Sequence, residues 1–231
     1  MGDLARLFDD AQSEYLENTT AAPVLAVPLT MAAWFYCDDV TTWANRSILS
    51  VQDKDSAVNF FQLRLRTGDQ NVVRATTRDS SNTVNADSTA QFNVNTWYHG
   101  AVVFSTVDAR AAYLQGSNKG TESTSVTPVN LDSVSVGRAG DSSPDQYMSG
   151  GIFLAALWNA ALTDAEVALL AAKHAPLCIR PESLVAFWPL TDTVDDSDWL
   201  GGFDLTAFNT PGWMTGPTGI MDPVKPMLAI Y

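Results

Sequence analysis

Cationic side chains are scarce in this chain: 13 Lys and Arg stand against 26 Asp and Glu, a formal net charge of −13 over 231 residues. A surface that tracks phosphates needs clustered Lys and Arg, so nucleic acid is excluded as a partner, and anionic membranes are disfavoured for the same reason. Long apolar runs are absent as well. With no stretch of eighteen apolar residues there is no membrane-spanning helix, and the opening MGDLARLFDD lacks the apolar core of a secretion signal. Arg6 stands where a myristoylation motif beginning at Gly2 requires Ser or Thr. The expectation is a protein made and folded in a cytoplasm. Cysteine is limited to Cys37 and Cys178, each alone in an apolar setting; two buried thiols are expected, and the spacing does not decide whether they pair. Two isolated histidines, His99 and His174, make neither a zinc site nor a triad. Glutamate is confined to Glu14, Glu17, Glu122, Glu166 and Glu182.

What is plentiful is apolar and small polar surface. A hydrophobic fraction of 46% with seven Trp and ten Phe supplies a large core, and 17% charged residues leaves Ser, Thr, Asn and Gln to cover it. Alternation with period two recurs along the chain. In the PLTMAAWFYC stretch Leu29, Met31, Ala33, Phe35 and Cys37 alternate with Thr30, Ala32, Trp34 and Tyr36; Ser47 to Val51 is a second short strand. Phe61, Leu63 and Leu65 face inward while Gln62, Arg64 and Arg66 face outward, and the Gly68 turn returns the chain into NVVRATTR as a hairpin with one wet face. Ser80 to Ala90 reads as a polar loop. A buried strand starts at Trp97, ARAAYLQGSNKG forms another hairpin, and Val134 and Val136 alternate with Ser133 and Ser135. Residues 3 to 17 fit either a helix and a loop or two short strands.

The period changes once. From Ile152 to Trp158 both faces are apolar, with Ile152, Leu154, Ala156 and Trp158 on one side and Phe153, Ala155 and Leu157 on the other. Thr163 and Glu166 then form a capping box, Leu162 and Val167 a hydrophobic staple, and Val167, Leu170 and Ala171 the apolar stripe of one short helix near 163–174. LVAFWPL and FDLTAF are the last strands expected. DTVDDSD between them is an acidic loop without the Gly and terminal Glu of an EF-hand. The chain divides into a sandwich over 1–210 and an extended Pro-rich arm over 211–231, which has Pro where a ladder needs donors.

The succession PLTMAAWFY, NTWYHGAVVF, YLQGSNKG, LDSVSVGRAG and YMSGGIFLAALWNAALTDAEVALL resembles the laminin G-like, concanavalin A-like superfamily over residues 4 to 208. The resemblance implies an all-β jelly roll of two stacked antiparallel sheets. It also implies a structural calcium position at the Phe8-Asp9-Asp10 start, which makes Asp9 and Asp10 the metal candidates. Two carboxylates common in relatives are missing, at Gln115-Gly116 and at Phe153-Leu154. Glycosidases of the superfamily carry a Glu-x-Asp-x-x-Glu strand with the two carboxyl groups about 5 Å apart, and no segment here matches it, so no catalytic residue and no cofactor requirement is expected. Trp43, Trp199 and Trp213 fall in loops, where they either contact a glycan or partner or cap the core. The leaderless start and the LVAFWPL-then-tail ending resemble laminin G-like proteins of tailed-bacteriophage virions. The expected function is thus a non-enzymatic virion protein, a capsid decoration or fibre component made in the host cytoplasm. Trp213, Met214, Met227, Leu228, Ile230 and Tyr231 would dock on a capsid or tail protein or on another copy in a homo-oligomer. The alternative is a carbohydrate-binding module.

Overall fold

Every residue from Gly150 to Trp158 is buried, and that strand is the axis of a sheet with hydrogen-bonded neighbours on both sides. The structure, a computed structural model, describes residues 4–40, 44–191 and 196–219. In chain order the strands are β1 (Leu4–Phe8), β2 (Tyr15–Asn18), β3 (Leu29–Cys37), β4 (Ala44–Gln52), β5 (Phe60–Thr67), β6 (Val72–Arg78), β7 (Thr83–Asp87), β8 (Trp97–Thr106), β9 (Ala109–Leu114), β10 (Ser117–Glu122), β11 (Ser133–Val136), β12 (Gly150–Trp158), β13 (Leu184–Trp188), β14 (Thr206–Phe208) and β15 (Gly212–Thr215), with helix α1 (Asp164–Ala171) between β12 and β13. One sheet runs β10-β9-β8-β3-β12-β1-β15, with β13 also on β12; the other runs β14-β2-β11-β4-β5-β6-β7. Their inner faces enclose a core that includes Phe8, Leu29, Phe35, Phe61, Leu63 and Trp188.

Along one side of β12 lies β3; along the other, β1 and β13 follow one another end to end. Strict alternation, expected from Ile152 to Trp158, does not hold. Leu154 has a φ of 51° and its N–H leaves the ladder for the carbonyl of Pro189, a bulge that shifts the phase. Ile152, Ala155 and Leu157 therefore enter the core between the sheets, whereas Phe153, Leu154, Ala156 and Trp158 face outward. That outer layer is closed by α1. Thr163 Oγ1 accepts from the N–H of Glu166 and Glu166 Oε2 from that of Thr163, so the expected capping box is present, and Leu162 and Val167 are buried together. Val167 and Leu170 complete the stripe; each contributes about 2 kcal/mol by burial. Arg180 clasps Glu166 through two nitrogens at 2.9 and 2.7 Å.

Several expectations need correction. The open reading of residues 3–17 resolves into β1 and β2 joined by a tight turn. Thr83–Asp87 is a strand, not a loop: only Ala86 enters the core, with Val84 half-buried, too few apolar residues to signal period two. Gly212–Thr215 pairs with Leu4–Leu7, so the sandwich extends beyond residue 210 into the segment read as an arm. Cys37 is buried but Cys178 is exposed, and neither is paired. Burial pushes the Cys37 thiol up to about 11.

His99 sits in β8 beneath Trp34, fully enclosed, with Nδ1 making no hydrogen bond among the described residues. Burial lowers its pKa to about 3. The folded chain keeps this ring neutral while the unfolded chain protonates it below about pH 6.5, so stability is complete above that pH and falls as the pH drops toward 3. Between pH 6.5 and 5 the expected loss is about 2 kcal/mol. Urea midpoints at the two pH values should show it, and His99→Leu should flatten the difference relative to wild type; an unchanged difference would mean that carboxylates alone set the slope.

Candidate binding site

The outer face of the seven-stranded sheet is polar across its width. The register that sends Phe61, Leu63 and Leu65 into the core turns Gln62 and Arg64 outward beside Ser47 and Ser50 of β4, Arg74 and Thr76 of β6, and Asn85 and Asp87 of β7. Further along stand Ser133 and Ser135 of β11 and Glu17 of β2. The expectation of a wet face is only half met: Gln62 and Arg64 leave the core, yet both are buried. The segment 138–147 lies over them. Its Ala139 and Asp145 pair, the Gln146 carbonyl accepts from the Ser47 N–H, and a Cβ on Gly140 would come within 2.0 Å of Ser135 Oγ. Arg138 grips Glu17 through 2.8 Å contacts to both carboxylate oxygens while its guanidinium rests 3.5 Å from the Tyr15 ring. Burial raises the carboxyl groups of Asp141 and Asp145, and the neighbouring Asp141 charge raises Asp145 further.

Two adjoining hollows open at the end of this face. The larger, about 460 Å³, is lined by Asn45, Arg66, Thr67, Arg74 and Asn85; the smaller, about 330 Å³, by Asp10, Asp145, Gln146 and Tyr147, and Ala44 and Asn45 belong to both. Guanidinium, amide, carboxylate and phenol groups side by side offer directed donors and acceptors plus an aromatic surface, the chemistry that suits a ligand rich in hydroxyls. A hollow of about 540 Å³ lies on the opposite side of the molecule, between β8–β10 and α1. There Tyr113 and Lys119 both donate to Asp164, and Arg110 donates through Nη2 to the carbonyls of Val107 and Thr124, while its Nε and Nη1 make no hydrogen bond among the described residues.

The site residues expected from sequence are not brought together. Asp9 caps the turn after β1 by accepting from the Ala11 N–H, and Asp10 binds Arg46 at 2.8 Å. The same guanidinium reaches Asp39 at 2.7 Å and the carbonyls of Asp39 and Tyr147. The positive charge beside Asp10 is thus an arginine, and the donors there do not fit a divalent ion. Among the described residues, three carboxylates come within 4.8 Å at Asp53, Asp55 and Asp132, where the Lys54 ammonium bridges Asp55 and Asp132. Trp199 packs edge-on against Phe187, capping the outer core layer. Trp213 covers Arg6 at 4.3 Å, and Met214 packs into the same outer layer, its sulfur close to Gly151. Trp43, Met227, Leu228, Ile230 and Tyr231 lie outside the described residues. Sequence reasoning missed Asn45, Arg74, Asn85 and Gln146, although the facing patterns of QLRLR and VVRATTR did carry a signal: a hairpin between them must put Arg64 opposite Arg74.

The family model described as the concanavalin A-like lectin/glucanases superfamily matches residues 10–168. The chain belongs to that superfamily. No curated protein matches it significantly. Among solved structures this superfamily member is similar to a heptameric SAP-like pentraxin of Limulus polyphemus, with 16% identity and a TM-score of 0.67 over 93% of this chain and 95% of the other. Domain 4 of an extracellular arabinanase from Geobacillus stearothermophilus, in complex with arabinotriose, gives 18% identity and 0.54 over 66% and 70%. Tailspike protein 2 of the Escherichia coli O157:H7 bacteriophage CAB120 gives 16% and 0.56, covering 80% of this chain and 26% of the tailspike. At these identities the likeness is one of fold.

Proposed function

We propose that this sandwich is a non-catalytic glycan-contacting module carried on a bacteriophage virion, with the outer face of the seven-stranded sheet as its contact surface. The observation that carries the reading is the pair of adjoining polar hollows sharing Asn45. The arabinanase domain in complex with arabinotriose supports a glycan ligand on this fold, and the tailspike supports the virion setting. The heptameric pentraxin supports self-association. A capsid or tail protein is the natural partner, with Met227, Leu228, Ile230 and Tyr231 as its contacts.

On a glycan array the protein should bind at least one oligosaccharide class above background, with or without calcium. Asn45→Ala and Arg66→Ala should each weaken that binding about tenfold, the worth of one or two directed hydrogen bonds. No binding under either condition would overturn the glycan reading. Co-sedimentation with particles decides the setting: a protein that stays free of purified virions is a carbohydrate-binding module of another system.

A further inference from the structure

We propose that the glycan carries an anionic group, a carboxylate or a sulfate, and that Arg64 is the residue that recognises it. This rests on the glycan-contact reading above and narrows its ligand.

Five of the chain's nine arginines, Arg64, Arg66, Arg74, Arg78 and Arg138, stand on this one face of a protein whose net charge is −13. Three of them have a carboxylate of their own: Arg66 pairs with Asp69, Arg74 with Asp87 and Arg138 with Glu17. Among the described residues, Arg64 has none within ion-pairing distance. It is 5% exposed, and among the described residues its guanidinium is held by uncharged amide oxygens, those of Asn85 at 3.0 Å, Gln146 at 3.2 Å and Gln62 at 3.4 Å. Its Nε makes no hydrogen bond among the described residues, and neither does Nε2 of Gln62. Burial accordingly pushes the Arg64 pKa down to about 9.

Asp87 and Asp145 act on Arg64 only from beyond ion-pairing distance, and Arg74 opposes them. A buried cation with no directly paired carboxylate costs stability, and a chain that only needed to fill this position would do better with an apolar or amide side chain. Such a cost is tolerated where the charge serves a ligand. The position fits that use. Asn85 lines the larger hollow and Gln146 the smaller, so Arg64, which itself lines neither, stands directly behind a wall of each, joined to it by a hydrogen bond. An entering carboxylate or sulfate that replaces one amide oxygen exchanges a neutral acceptor for a charged one. Hydrogen bonds of the charged kind are roughly twice as strong, and the arginine fork matches both anions.

The test is calorimetry of the full chain against three oligosaccharides of one backbone: neutral, uronic-acid-bearing and sulfated. Wild type should prefer at least one acidic form by tenfold or more, and Arg64→Gln should abolish the preference, so that its affinities for the acidic and neutral forms lie within twofold of one another. Without ligand, Arg64→Gln should melt at the same temperature as wild type or higher; a lower melting temperature, with the preference intact, would make Arg64 a structural prop and overturn the proposal. Equal binding of neutral and acidic forms by wild type would also overturn it while leaving the glycan reading standing. If no oligosaccharide binds, sodium glucuronate against sodium chloride at equal ionic strength separates the two ideas. Stabilisation of wild type but not of Arg64→Gln would keep the anion site and discard the glycan; no difference would discard both. Should Arg64→Gln fail to fold, Arg64→Met replaces it in each comparison.

Discussion

Replacing Arg46 by alanine should cost about 3 kcal/mol of unfolding free energy, read as a fall in the urea midpoint. The side chain is 2% exposed and ties together three loops and β4: Asp10 from the β1–β2 turn, Asp39 from the β3–β4 connection, and the Tyr147 carbonyl just before β12. Asp10 and Asp39 are themselves partly open, so each can regain water when the arginine goes, which keeps the loss at the lower end for a buried pair. What water cannot restore is the packed stem and the four-way clasp. Arg46→Lys should recover less than half of the loss, because an ammonium cannot address two carboxylates and two carbonyls with a fixed fork. A loss below about 1 kcal/mol for alanine would show that these contacts are worth no more than ordinary surface pairs.

Gly150→Ala should be the other severe substitution, at about 4 kcal/mol from added backbone strain and overpacking. Gly150 has a φ of +118°, and a Cβ there would lie 1.9 Å from the Tyr36 carbonyl oxygen. The atoms it would meet are backbone of Tyr36 and Asp38, either side of Cys37, which pairs with Gly150 in the ladder, so they cannot swing aside as a side chain would. Gly201 provides the control. Its φ is +81° but nothing lies within 4 Å of the added atom, so Gly201→Ala should cost only about 1 kcal/mol. Equal effects at the two positions would mean that β12 can move away from β3 more easily than its burial suggests.

Gly150 also illustrates how much of the molecule is legible from its residues. The strand-to-helix unit it opens was readable because its signals are local: a run of apolar residues, then Thr163 and Glu166 three apart, then Val167 and Leu170 on one face. The bulge at Leu154 was not, because a phase shift inside a strand apolar on both faces leaves no polar residue out of place. Strand β15 was hidden for a different reason. The five residues between Pro211 and Pro217 are too few to show a period, and what makes four of them a strand is the free edge of β1, more than two hundred positions earlier. The candidate site was less legible still. Period two separated Gln62, Arg64 and Arg66 from the core, but that outward face is covered by the distant segment 138–147, and burial imposed by a distant segment has no local signature. The loop tryptophans attracted attention as aromatic candidates, yet Trp199 is occupied with Phe187 and Trp213 with Arg6.

The place of β1 in its sheet sets a timetable. Arg6 is paired on one side by Ile152 and on the other by Trp213, so β1 leaves the ribosome long before either neighbour exists. Throughout most of synthesis Leu4–Phe8 has no ladder to join, and the hairpins from β4 to β7 and from β8 to β10, whose partners follow closely in the chain, can close ahead of it. The eight-stranded sheet is therefore completed from its middle outward and late, with the early segment waiting on the late ones.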